Sequence, residues 1–357
     1  MRILPAMLLL AACGDDLRGP PPLDVTTPET PSVPGESPTA ARWVPELCGI
    51  QTWPGIASAN MAMAVIADSA GATIFGVDKI GGSLIGLSID EQGKMTSAGT
   101  KLLVDGFTSL TATRVAGHNI VSAVTGNTTV VSMISDDFTR IDLLAKLDGN
   151  LAAPIVDANG LHLALTAGPS GLNVAGFTAS WQEKGAAQLA STAIGMDATA
   201  IGADALVAWS TPTGCTVEQL GTPRTATGLS ACRSPRLAAG PGFRAELAYE
   251  DSHGVRVGDL YMSGNNAIAS THAIGAAGRS PRIAFDGERY WMTYIDARGN
   301  VVVGFLAPNL DTLVSFALED VSPNPDAYDL KIVGGQPWVF SADATGFAAH
   351  ALCLAHQ

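Results

Sequence analysis

Ser280-Pro281-Arg282-Ile283-Ala284-Phe285-Asp286-Gly287 opens the stretch that decides the fold. It continues through the run 290–295, the polar turn Asp296-Ala297-Arg298-Gly299-Asn300 and the run 301–306. Working outward, the same order recurs. Upstream, Ser234-Pro235-Arg236-Leu237-Ala238 is followed by the run 245–249, the turn His253-Gly254 and the run 255–260. A third copy reads Pro154-Ile155-Val156-Asp157, the turn Asn159-Gly160, the run 161–165 and the run 172–177. Short runs with β-branched residues, separated by Gly turns and polar turns, read as antiparallel strands.

A small residue inside the third run marks the phase of the repeat. It is Gly86, Ser132, Gly176, Gly258 and Gly304, with Glu218 and Ala349 filling two degenerate copies, at steps of 46, 44, 42, 40, 46 and 45. A period of this length leaves room for a fourth strand, and runs 313–318 and 267–272 fit that slot. Four strands per repeat at this period predict propeller blades. The expected fold class is all-β, a seven-bladed β-propeller, with six or eight blades as the alternatives. No long 3.6-residue pattern competes, which argues against an α/β fold. The unit Pro281-Arg-Ile-Ala-Phe-Asp-Gly287 followed by Tyr290-Trp291-Met292 resembles the PxxAxDG repeat of large bacterial propeller proteins. The resemblance covers most of residues 58–357. It implies an architecture and no particular chemistry.

Composition agrees. Among 357 residues, charged residues make up only 15%, aromatics 6%, and there are 39 glycines. That suits many short strands and tight turns. The formal net charge of −13 repels phosphate backbones, so nucleic acid is not an expected partner.

The N-terminus reads as a targeting segment. Met1-Arg2 precedes a short apolar run, residues 3–10, interrupted by Pro5 and too short to span a bilayer, which takes about 20 residues. Leu10-Ala11-Ala12-Cys13 follows at once and resembles the lipobox of bacterial lipoproteins. The resemblance implies that residues 1–12 are a lipoprotein signal peptide, that cleavage precedes Cys13, and that Cys13 carries the lipid. More than one acyl chain there gives stable anchoring, which a single chain does not. Gly14 stands where Asp, in that family, accompanies inner-membrane retention. The expected location is therefore the cell envelope, at the outer membrane or cell surface. Residues 13–41 are then the lipidated cysteine and a disordered linker punctuated by Pro20, Pro21, Pro22, Pro28, Pro31, Pro34 and Pro38, an extended spacer ahead of the propeller at 42–357.

With Cys13 assigned to lipid, four cysteines remain, which allow three pairings. Cys215 opens the third run of repeat 4, and Cys232 precedes the first run of repeat 5. A hairpin folded at Gly221-Thr222-Pro223-Arg224 places them opposite each other. Closing that loop is worth roughly 3 kcal/mol in the chain-entropy model. Cys48 and Cys353 lie at the two ends of the domain. The last repeat has three runs and then the chain stops, while the segment 43–51 has no blade of its own. Placing that segment as the outer strand of blade 7 closes the ring and sets Cys48 beside Cys353. Exported compartments are oxidising, which suits both bridges.

Chemistry is sparse in the sequence. The six histidines (His118, His162, His253, His272, His350, His356) show no metal-ligand spacing. There is no Gly-x-Ser-x-Gly elbow, no EF-hand ladder and no sialidase-type box, and no cofactor is expected. Asp157-Ala-Asn159-Gly160 and Asp296-Ala-Arg-Gly299 read as turns. Trp209, Trp291 and Trp338 recur on second strands and read as core between blades rather than as a sugar platform. Arg236, Arg282 and Lys331 occupy equivalent places in three first strands. Gathered near one mouth of the ring, they form a candidate anion-binding group; pairing with nearby acids such as Asp286 and Asp329, or plain exposure, is the competing reading. The function expected from this is a membrane-anchored, extracytoplasmic, non-catalytic module binding protein or polysaccharide. An exported propeller enzyme such as a glycosidase or lyase, and an envelope assembly scaffold, are the alternatives.

Overall fold

The computed structural model describes residues 43–54, 62–77, 83–97, 101–102, 107–221, 225–261, 267–307, 313–319, 321, 324–343 and 345–356. Residues 1–12, Cys13 and the linker 13–41 lie outside the described residues, as does most of the turn at 221–224.

No described residue is helical, and the strands form seven antiparallel sheets. Blade 1 is Ala64–Asp68, Gly71–Val77, Leu84–Asp90 and a split outer strand, Met95–Ser97 with Lys101–Leu102. Blade 2 is Ser109–Val115, His118–Thr125, Thr128–Ile134 and Ile141–Asp148. Blade 3 has a split first strand, Leu151–Ala152 and Val156–Ala158, then Leu161–Gly168, Gly171–Phe177 and Glu183–Ala190. Blade 4 is Gly195–Ile201, Asp204–Thr211, Gly214–Leu220 and Thr225–Ser230. Blade 5 is Arg233–Ala239, Arg244–Asp251, Gly254–Tyr261 and Ala267–Ala276. Blade 6 is Arg279–Phe285, Tyr290–Ile295, Val301–Leu306 and Leu313–Leu318. Blade 7 is Tyr328–Val333, Gln336–Ala342, Gly346–His356 and, from the other end of the chain, Trp43–Pro54.

First strands of successive blades touch one another in a closed cycle, with blade 1 meeting both blade 2 and blade 7. That is a seven-bladed propeller; six and eight blades are excluded. The predicted phase holds throughout. Each marker residue lies on a third strand, opposite an apolar residue of the second: Gly86 faces Phe75, Ser132 Val121, Gly176 Leu163, Glu218 Val207, Gly258 Leu247, Gly304 Met292 and Ala349 Phe340. At Gly86 the reason lies in the next blade. A Cβ there would overlap the ring of Phe138, a fully buried side chain that also meets Phe75 edge-on at 6.0 Å.

Seven apolar clusters hold the ring, each drawn from two adjacent blades. Ile74, Trp338 and Phe347 join blades 1 and 7; Phe75, Val121 and Phe138 join 1 and 2; Val131 and Phe177 join 2 and 3. Leu165 and Trp209 join 3 and 4; Val217 and Leu247 join 4 and 5; Val257 and Met292 join 5 and 6; Trp291 and Leu330 join 6 and 7. A central strand is therefore covered on both faces, which is why Val301–Leu306 is buried at every residue rather than at alternate ones. Outer strands differ. In Glu183–Ala190 the first six residues are exposed, and among them Glu183 and Lys184 put charge on an edge, which discourages pairing between molecules. The three tryptophans Trp209, Trp291 and Trp338 are core, as read, at 4%, 1% and 3% exposure.

The ring closes as the sequence implies. Trp43–Pro54 pairs antiparallel with Gly346–His356, and Cys48 and Cys353 are joined with Cα atoms 5.9 Å apart. The register shifts between Leu47 and Gly49, so Cys48 sits in a β-bulge, which turns its side chain onto the neighbouring strand. Cys215 and Cys232 are also joined, at a Cα separation of 5.2 Å. Here the local geometry departs from the simple hairpin. Cys215 faces Leu229, and Cys232 lies past the end of that strand, beyond Ala231 at φ +55°. The bridge therefore ties the third strand of blade 4 to the connection into blade 5, and both cysteines join the apolar cluster between those blades.

Candidate ligand site at the inner ring

Blades 5 and 6 carry the same four residues at the start of their first strands, Arg233-Ser234-Pro235-Arg236 and Arg279-Ser280-Pro281-Arg282. They adopt the same local structure. Each register shifts between the two arginines, and Ser234 and Ser280 take left-handed φ of +48° and +55°. Such a conformation is costly outside glycine and persists where surrounding contacts fix it. At Ser280 those contacts are visible: its N–H donates to Glu250 Oε1 at 2.6 Å, and its carbonyl accepts from the Tyr328 hydroxyl.

The bulges deliver both guanidiniums to the inner ring. Arg236 Nη1 donates to its neighbour Pro235 O at 3.2 Å and to Met196 O of blade 4 at 3.3 Å. Arg282 Nη1 donates to Pro281 O at 3.0 Å, and Nη2 reaches Pro325 O, on the way into blade 7, at 2.5 Å. Arg282 also lies over the Tyr328 ring, 4.9 Å from its centre, and its Nε is 3.8 Å from Asp329. Lys331 Nζ is 3.0 Å from Asp329 Oδ2. Asp197 completes the group from blade 4, its Oδ2 accepting from Leu237 N at 2.8 Å.

The electrostatics follow from burial. Asp197 is pushed above the usual carboxylate range by loss of water, against the pull of Arg236. Arg236 is lowered by burial and by Arg282. Tyr328 is pushed up to about 12 by burial, against Arg282 and Arg236. Arg236, Arg282 and Lys331 thus face Asp197, Asp329 and, at Ser280, Glu250, with Asp197 driven toward its neutral form, within a chain of net charge −13. The two guanidiniums spend donors on backbone carbonyls and fix the ring. The Lys331 side chain is 36% exposed against 14% for Arg282, which makes its ammonium the more open charge.

Of the two acids read as competing partners, Asp329 pairs with Arg282 and Lys331, and Asp286 does not. Asp286 Oδ1 accepts from the N–H groups of Glu288 and Arg289, and Oδ2 accepts from Trp291 Nε1 at 2.7 Å. The turn carboxylate therefore also clamps the indole of the second strand. Blade 3 repeats the device at the same spacing of five: Asp157 Oδ1 lies 2.6 Å from His162 Nδ1. This places His162 and Asp157 in a turn clamp. Asp296 behaves as a turn residue too, accepting from Arg298 N and Asn300 N. Asp197 and Tyr328 were not singled out in the sequence. Blade 4 is a degenerate copy, so nothing in its own stretch marks Asp197.

A second polar group lies between blades 5 and 6. Glu246, 2% exposed, faces Asp259 directly across the strand pair, and Arg244 Nη2 binds Asp259 Oδ2 at 3.1 Å. The Tyr290 hydroxyl from blade 6 rests on Gly240, where a Cβ would overlap it. Burial, and then the Asp259 charge, push Glu246 up to about 8. Burial raises Tyr290, with Glu246 adding to it. Glu46 stands beside the Cys48–Cys353 bridge, but both sulfurs are spent in the disulfide, so this trio offers no thiolate to a metal.

Compared by sequence, the chain matches no family model and no curated protein. Solved structures match by shape. The WD40 domain of SCAP from fission yeast is 10% identical with a TM-score of 0.51, covering 85% of this chain and 98% of that one. BBS1N, solved in complex with ARL6DN, is 13% identical with a TM-score of 0.57, covering 88% of this chain and 98% of that one. At such identities the likeness is one of fold.

Proposed function

We propose that this chain is a lipid-anchored, extracytoplasmic, non-catalytic binding module. Cys13 holds it to the membrane, the Pro-rich linker stands the propeller off the surface, and the inner-ring cations receive an anionic group of a protein or polysaccharide. The observation that carries the export half is the pair of disulfides. Bonds of this kind persist in oxidising compartments and are rare in the cytosol. The Leu10-Ala11-Ala12-Cys13 segment supports the same reading. Expressed as the full chain in a bacterium, the protein is expected in the membrane fraction, incorporating radiolabelled palmitate. Cys13→Ser is expected to lose the label and pass to the soluble fraction. A wild-type chain that stays unlabelled and soluble would defeat the anchor.

The ligand half rests on Lys331, half-buried but more open than Arg282, in a gathered set of cations. Charge of this kind attracts an anion at low salt and is screened as salt rises. The probe is polygalacturonate against neutral dextran in affinity electrophoresis. Wild type is expected to be retarded by the uronic-acid polymer alone, with Lys331→Glu weakening the interaction about tenfold or more. Lys331 serves better than the arginines here, because they also brace the ring. Equal retardation of wild type and Lys331→Glu would remove the anion site.

A further inference from the structure

A cleft of about 450 Å³ opens where the ring is closed, away from the inner-ring cations. It is bounded by Cys48 and Gln51 on the outer strand of blade 7, Gln336 and Trp338 on the second strand, and Glu91 and Gln92 on a turn of blade 1. The volume falls within the range of small-molecule sites, about 300–1,000 Å³. Its walls carry three side-chain amides and one carboxylate, and among the described residues no lysine or arginine borders it.

The parts are held in place. Gln336 Nε2 donates to Leu352 O at 3.0 Å, and Gln92 Nε2 donates to Glu91 Oε1 at 2.7 Å, which orients both amides. Gly93, at φ +80°, lets the blade 1 turn lie against the indole. A Cβ there would stand 2.8 Å from Trp338 Cη2 and 2.9 Å from Gln51 Cγ. Trp338 is 3% exposed, and its Nε1 finds no acceptor in the described structure. That nitrogen has no open surface, so the polar contacts of the cleft fall to Gln51, Gln92, Gln336 and Glu91.

The lining selects a chemistry. An anion meets Glu91 and no cation among the described residues, and an apolar molecule strands three amides. Hydroxyl groups both donate and accept, so they match amides on both counts and a carboxylate as donors. The buried indole, stacked on Phe340, closes the floor of the cleft. We propose that this seam cleft binds a neutral saccharide of one or two units, and that the site exists only while the ring is closed. The Cys48–Cys353 bridge and the strand pairing beside it set the position of Gln51 against Trp338 and Gln92.

The test uses the oxidised full chain, titrated with cellobiose, maltose and diacetylchitobiose by ligand-observed NMR and calorimetry. At least one of the three is expected to bind saturably. The double variant Gln51→Ala with Gln92→Ala, both exposed and outside the core, is expected to weaken it about tenfold or more. Lys331→Glu is expected to leave sugar binding unchanged, which separates this site from the anion site. Reduction of the disulfides is expected to weaken binding. No binding of any of the three sugars by wild type overturns the proposal, as does full binding by the double variant. Loss of sugar binding in Lys331→Glu would move the sugar to the inner ring and overturn the seam assignment.

Discussion

Replacing Cys48 and Cys353 together by alanine is expected to lower stability more than replacing Cys215 and Cys232. The first bridge spans 305 residues of sequence and the second 17. In the chain-entropy model the long closure is worth about 5–6 kcal/mol and the short one about 3 kcal/mol. The local cost of the mutation runs the other way. Cys215 and Cys232 are 4% and 1% exposed, so alanine there also leaves a small void, whereas Cys48 is exposed. The entropy difference is the larger effect, so the ranking holds. Pairing of Trp43–Pro54 with Gly346–His356 survives the substitution and keeps the domain folded, but opening becomes easier. Each opening leaves Gly346–His356 as an unpaired edge, so the variant is also expected to aggregate on heating. Denaturant midpoints of the two double variants, compared with wild type with and without reductant, decide it. A larger loss at Cys215 and Cys232 would mean that ring closure is not what the long bridge secures.

Glu246→Gln is expected to flatten the dependence of stability on pH. Wild-type Glu246 holds its proton in the folded chain up to about pH 8, whereas an unfolded glutamate releases it near its ordinary value of 4.5. The folded state therefore binds the extra proton between those limits. Its contribution is fully present below about pH 4.5 and is lost as pH rises through about 8. At 1.36 kcal/mol per unit, the whole window amounts to a ceiling of about 5 kcal/mol. Glutamine keeps the shape and does not titrate, so the difference between variant and wild type is expected to move in the variant's favour from pH 5 to pH 9. Burial of Glu246 sets the direction first, and the groups facing it add to that. Asp259 across the strand pair repels a second negative charge, Arg244 only partly offsets it, and Tyr290 closes the seam. Urea unfolding at several pH values measures the difference, and parallel curves for the two proteins would refute it.

The Glu246 effect arises at a seam between blades, and so do the two candidate ligand sites. A blade is a twisted sheet with two apolar faces, and neither face is covered until a neighbour arrives. The clusters that cover them always draw on two blades. Polar residues caught in a seam are desolvated by a blade distant in sequence. Tyr290 reaches Gly240 across fifty residues, and Trp338 meets Gly93 across most of the domain.

The sequence by itself determined the all-β repeat and the phase of its copies, because strand period and turn chemistry are local, and the closed ring fixed seven blades against six or eight. Asp286-Gly287 and Asp296 to Gly299 make turns from their own side chains, and a run such as Val301–Leu306 is apolar whether or not its neighbour is known. It also determined the closing strand and both cysteine pairs, since a blade lacking a fourth strand and a leftover strand at the other end have one economical solution. Tertiary structure alone decided which acid met which cation. Asp286 and Asp329 look equivalent in sequence, but Asp286 turns to Trp291 while Asp329 turns to Arg282 and Lys331. It alone brought Asp197 to Arg236, set Glu246 against Asp259 in a dry seam, and gathered Gln51, Gln92 and Trp338 around one cleft. The physical reason is common to all three. Strand formation depends on neighbours along the chain, whereas charge pairing and desolvation depend on which blades the closed ring presses together.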